Sequence, residues 1–180
     1  MITGDFNGDG KIDFIRQEKG EWDDDVNLSF NVYFSQGDGT FKRRTPPGWS
    51  YQDALRFDFG ANIIPGDFDG DGKTDFIRQE KEGWADDTVA SFAVYFATDT
   101  TEDTGLFDEK WPGTNNHDDP YQDYLREPPG VNIIPGDFNG DGRTDFIRQE
   151  KNVWGGKSGG HQGMQIYFAN DQTRIDGTFT

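Results

Sequence analysis

Cysteine is absent from the 180 residues, which excludes disulfides, thiolate metal sites and a cysteine nucleophile, though not any compartment. Histidine is nearly absent: His117 and His161 are the only two, and neither recurs in a repeated context. Basic residues are scarce as well, 17 Lys and Arg against 34 Asp and Glu, for a net charge of −17 and a pI near 4.3. Such a surface excludes nucleic acid as a partner and gives no attraction to an anionic membrane face. No apolar run is long enough to insert in a bilayer. The opening "MITGDFNG" enters an acidic stretch almost at once, so no signal peptide is expected in the chain as given. Mean hydropathy is −0.89, yet 15% of residues are aromatic and stand at recurring positions, which a disordered chain would not need.

What is present is repetition. "GDFNGDGKIDFIRQEK" from Gly4 returns as "GDFDGDGKTDFIRQEK" from Gly66 and "GDFNGDGRTDFIRQEK" from Gly136, with three varying columns. Loops opening at Asp5, Asp67 and Asp137 recur after 67 − 5 = 62 and 137 − 67 = 70 residues, the mark of a repeat architecture whose units stack. "NIIPGDF" reads as a strand entering the turn and "DFIRQE" as the strand leaving it. "FNVYF", "FAVYF" and "MQIYF" make a third, and "GDGTF", "TGLF" and "DGTF" start a fourth. The expectation is an all-β propeller of three four-stranded blades, about 1–61, 62–131 and 132–180, each with a calcium loop.

The metal reading follows from spacing. Asp5, Asn7, Asp9 and Asp13 occupy loop positions one, three, five and nine, and Lys11 at seven offers its carbonyl. The other sets are Asp67, Asp69, Asp71, Lys73 and Asp75, then Asp137, Asn139, Asp141, Arg143 and Asp145. Oxygen-only donors suit a hard cation such as calcium, and the lack of thiol and imidazole disfavours zinc and copper. Position twelve is Arg16, Arg78 or Arg148 with strands on both sides, so this is not an EF-hand. Plain Asx turns need only one or two such residues, and three or four converging oxygens would repel one another without a cation. A phosphate loop fails on both spacing and charge.

These loops resemble those of FG-GAP and VCBS repeats, the calcium-carrying blades of integrin-α-like propellers. The resemblance implies three calcium sites on the residues just named, with the acidic turn joining the first two strands of each blade. It departs where Arg-Gln-Glu-Lys replaces the family's Gly-Ala-Pro, and integrin partners therefore do not carry over.

The invariant "FIRQEK" and the tryptophan after each copy admit two readings. Arg16 and Glu18, with Arg78 and Glu80 and Arg148 and Glu150, register blade against blade while Trp22, Trp84 and Trp154 fill the space between. Alternatively these residues form a sugar site per blade, an indole for a pyranose face and polar groups for hydroxyls, useful through multivalency as in lectin propellers. "YQDALR" and "YQDYLR" read as helical turns with Leu55 and Leu125 as packing anchors, or as rim pockets with Trp49 and Trp111. An enzyme is disfavoured because an active site breaks repeat symmetry, whereas the identical residues here occur in every copy; a polysaccharide-acting enzyme is the form it would take. The expected function is a multivalent, calcium-binding lectin, with protein adhesion or scaffolding as the alternative. Secretion or surface display follows from weak calcium loops, and a homodimer completing a six-bladed ring from the count of three blades.

Overall fold

The structure, a computed structural model, describes residues 1–17, 30–48, 55, 61–80, 92–112, 125, 131–150 and 163–180. Eleven strands form three antiparallel sheets among these residues. The first holds β1 (Ile2–Gly4), β2 (Asp13–Gln17), β3 (Phe30–Ser35) and β4 (Phe41–Arg44) in that order. The second repeats it with β5 (Ala61–Gly66), β6 (Asp75–Glu80), β7 (Phe92–Phe96) and β8 (Asp108–Lys110). The third has β9 (Val131–Gly136), β10 (Asp145–Glu150) and β11 (Met164–Tyr167).

One expectation is corrected. The third sheet is three-stranded, not four-stranded: "DGTF" reaches β11 only through Thr180 and Phe168, which exchange two backbone hydrogen bonds of 2.7 and 3.0 Å. The all-β chain also carries two short helices that the repeat pattern does not predict. Short helices α1 (Thr101–Thr104) and α2 (Asp171–Asp176) follow the third strands of the second and third sheets. Local capping explains them. Asn170 Oδ1 accepts from the Gln172 N–H at 2.8 Å while Thr173 Oγ1 accepts from the Asn170 N–H, and Gly105 and Gly177 close the helices in the left-handed region. In the first sheet "SQGDGTF" makes a tight turn instead, closed by Gln36 N–H to the Thr40 carbonyl.

Register follows the repeat. Phe14, Phe76 and Phe146 lie opposite Tyr33, Tyr95 and Tyr167, and the rings stack at 4.5 to 4.8 Å. Two apolar cores lie between successive sheets. Phe6, Phe30, Phe34, Phe76 and Phe107 anchor the first, and Phe68, Phe92, Phe96, Phe146 and Phe179 the second. Aromatic burial on this scale offsets the polar composition, since each such ring contributes roughly 1.5–3 kcal/mol on leaving water. Leu55 and Leu125 are fully buried, and Gln17 and Gln79 donate side-chain N–H to their carbonyls at 2.8 and 2.9 Å. The glutamine of "RQEK" thus ties the connector to the sheet.

Candidate functional site

Each acidic loop joins the first two strands of its sheet and is shaped by its own carboxylates. Asp67 accepts from the Gly70 and Gly72 N–H at 2.7 and 2.9 Å, Asp69 from Asp71 N–H at 3.1 Å, and Asp71 from Lys73 N–H at 2.8 Å. Asp5 and Asp137 take the same bonds from Gly8 and Gly10 and from Gly140 and Gly142. Those glycines have φ between 76° and 89°, the left-handed region in which a side chain would be strained. The bonds fix the carboxylates of position one over the turn in every loop.

In the second loop one oxygen from each of Asp67, Asp69 and Asp71 lies within 4.8 Å of the others. Such a donor set fits a hard divalent cation. In the first and third loops position three is an amide, Asn7 or Asn139. Asn7 Nδ2 donates to Glu102 on α1 at 3.3 Å, and Asn139 Nδ2 to its own Asp141 at 3.0 Å. At position seven the side chains turn outward onto acids. Lys11 pairs with Asp9 at 2.6 Å, Lys73 with Asp71 and Asp99 at 3.1 and 2.9 Å, and Arg143 with Asp171 at 2.6 Å.

Position nine also has a structural task. Asp75 is fully buried and outside the three-carboxylate cluster, its Oδ2 accepting from Phe68 N–H at 2.9 Å and its Oδ1 from Ala97 N–H at 2.8 Å. Asp13 joins Phe6 to Ser35, and Asp145 joins Phe138 to Ala169, at 2.8 to 3.0 Å. The carboxylate therefore fastens the start of the loop to the end of the third strand. Burial, reinforced by Asp69, pushes the Asp75 carboxyl up to about 8, and burial likewise raises Asp13. Asp69 is raised by burial and by Asp71, against the pull of Arg174.

Arg174 was not legible as a site residue. It reaches from α2 of the third sheet to the second loop, its Nε 3.0 Å from Asp69 and its Nη1 2.9 Å from Asp108, over the Phe96 ring. An open cleft of about 340 Å³ lies here, lined by Asp69, Asp71, Arg143, Asn170, Asp171 and Arg174.

Of the proposed sugar-contacting residues, Arg78 and Arg148 are only 4% and 6% exposed, which keeps them from solvent, whereas Arg16 is exposed. Glu18, Trp22, Trp84 and Trp154 lie outside the described residues, as do the side chains of Glu80 and Glu150.

Residues 5–77 match the FG-GAP-like repeat family. No curated protein matches the chain. Among solved structures, the chain is similar to a lectin of Agrocybe aegerita, described in a study of its specific recognition of non-reducing terminal N-acetylglucosamine. The identity is 20%, the TM-score 0.58, and the match covers 99% of this chain and 36% of that one. The chain thus spans little more than a third of that lectin's length, and the likeness is one of fold. The same sixteen-residue pattern continues from Gly136, beyond the matched residues, and the fold is all-β and propeller-like.

Proposed function

We propose that the protein is a carbohydrate-recognising propeller module whose acidic loops hold calcium. The observation that carries the carbohydrate reading is the fold likeness over 99% of the chain to a lectin that recognises terminal N-acetylglucosamine. One weak site per repeat, used several at a time, is the arrangement by which such a module gains avidity. Trp22, Trp84 and Trp154 are the platforms this reading assigns to the sugar, and Arg16 is exposed to solvent.

For calcium, the support is the convergence of Asp67, Asp69 and Asp71 and the family of the loop. The residues that would hold it are those at positions one, three, five, seven and nine of each loop. Bound calcium would supply positive charge that neutralises clustered carboxylates. The chain's own part is to pre-orient those oxygens through the backbone bonds from Gly70, Asp71, Gly72 and Lys73. Loops of modest affinity fill at extracellular calcium, which favours a secreted or surface location.

A glycan array probed with the folded protein, in calcium and in chelator, tests the function. Binding to glycans ending in N-acetylglucosamine, lost stepwise as Trp22, Trp84 and Trp154 are changed to alanine without loss of folding, is the expected result. A blank array from protein shown to be folded would retire the carbohydrate reading in favour of protein adhesion.

A further inference from the structure

Successive sheets are joined in one recurring way. Phe76, stacked on Tyr95 with Phe107 edge-on at 4.8 Å, receives Phe6 and Phe30 of the first sheet. Phe146, Tyr167 and Phe179 receive Phe68 and Phe92 of the second in the same geometry. Beside each aromatic joint, a threonine of the later sheet clasps the backbone that opens the earlier loop. Thr74 N–H donates to the Asp5 carbonyl at 2.6 Å and Thr74 Oγ1 accepts from the Asp5 N–H at 2.9 Å; Thr144 does both to Asp67 at the same distances. The fit is close enough to require glycine. A Cβ on Gly4 would lie 2.5 Å from Thr74 Cγ2, and one on Gly66 2.6 Å from Thr144 Cγ2.

The two outer faces are the two halves of this joint. On the first sheet, Phe14 stacks on Tyr33 with Phe41 edge-on at 4.9 Å, the receiving triad again, and Phe41 is 46% exposed. On the third, Phe138, Met164 and Ile166 stand where Phe68, Phe92 and Val94 are fully buried, yet Phe138 is 43% and Met164 60% exposed. Gly136 occupies the place of Gly4 and Gly66, but its Cβ position meets only the ring of its own Phe138. Neither the N–H nor the carbonyl of Asp137 has a threonine clasp among the described residues.

We propose that a second copy of this chain docks its first sheet on this third sheet, head to tail, repeating the internal joint. Two copies each offer both faces, so the contact closes on itself with six sheets, within the four to eight of closed propellers. Ile12 of the incoming copy, 64% exposed, takes the place of Thr74. Its N–H can donate to the Asp137 carbonyl, but it has no hydroxyl for the Asp137 N–H. The joint between copies is therefore one hydrogen bond short of the joints within a chain.

Sedimentation velocity on the full chain at micromolar concentration tests this. The expected particle has twice the 20.4 kDa of one chain, 40.8 kDa. Ile12→Glu and Met164→Lys, both at exposed positions, should each give single chains, and mixing the two variants should regenerate a two-chain species, because each retains the face the other lacks. Ile12→Thr supplies the missing acceptor and should tighten association about threefold to tenfold per joint. That gain keeps the test independent of any folding loss in the charged variants. A wild-type particle of one chain's mass, a mass that climbs past two chains without a plateau, or an Ile12→Thr chain no tighter than wild type would each overturn the proposal.

Discussion

Removing the buried carboxylate of Asp75 should cost more than any other single change in the loops, and it should do so without calcium. Its two oxygens accept from the N–H groups of Phe68 and Ala97, residues that are 0% and 1% exposed, so neither donor can turn to water. An unsatisfied buried N–H costs about 1–3 kcal/mol, which puts Asp75→Ala at roughly 2–6 kcal/mol for the pair. Asp75→Asn keeps one acceptor oxygen and points an NH2 at the other donor, so it should lose roughly half as much. The equivalents should cost less, because one donor at each is only part-buried: Ser35 for Asp13 and Phe138 for Asp145. Urea unfolding in excess EGTA, followed by tryptophan fluorescence, reads these differences directly, and a domain of ordinary stability has about 5–15 kcal/mol to lose. If Asp75→Ala and Asp75→Asn both stay within about 1 kcal/mol of wild type in chelator, position nine is a metal ligand only, and its role as a fastener is wrong.

Calcium should raise the melting temperature, since a site at a hundredfold excess over its Kd contributes about 2.7 kcal/mol by linkage; a melt indifferent to chelator would refute the metal reading. In chelator, the Asp75 carboxyl sits at about 8 in the folded chain against an ordinary 3.8, so it favours folding most fully below pH 4 and loses that contribution as pH rises to about 8. Chelated protein should therefore lose stability over this window by more than Asp75→Asn does, and equal pH slopes would refute it. Thr74→Val removes the acceptor for the Asp5 N–H and should cost roughly 0.5–1.5 kcal/mol. Gly4→Ala, whose Cβ would press on Thr74 Cγ2 at 2.5 Å, should cost about 1–3 kcal/mol, and Thr74→Ser, which keeps the hydroxyl and removes the methyl, should recover part of it. Unfolding in urea checks both.

The strands and loops were legible because each is written in a local code repeated three times. Asp, Asn and Gly at alternate positions fix the turn, and Phe-Ile-Arg-Gln fixes the strand after it. The fastening by position nine was not legible, since spacing shows Asp13, Asp75 and Asp145 only in line with the other loop acids. A signal was present: an acid at the first position of a strand otherwise flanked by buried Phe and Ile. The helices α1 and α2 were missed because they are four and six residues long, and their caps are Thr, Asn and Gly that read equally as turn. Glu102 and Arg174 lie in those unrepeated segments, where comparing copies reveals nothing.

The three columns in which the sixteen-residue copies differ now have a common explanation, because all three lie at the joint between sheets. Position three meets the next sheet's helix, and its charge changes with that helix: Asn7 donates to Glu102, whereas Asp69 pairs with Arg174. At position seven the aliphatic stem lies over the preceding loop, Lys73 Cγ 3.2 Å from where a Cβ of Gly8 would be and Arg143 Cγ 3.1 Å from that of Gly70. Position eight is Thr74 or Thr144 where it clasps the loop of the preceding sheet, and Ile12 in the first copy. The invariant columns do what every copy needs alike, turning the loop, fastening it through position nine and supplying the glycine and phenylalanines on which neighbouring sheets pack. The varying columns serve a neighbour, and the neighbours differ. Drift at positions three and eight thus falls where one sheet meets the next: Asn7 and Asp69 face different side chains of the following helix, and Thr74 and Thr144 clasp the loop before them.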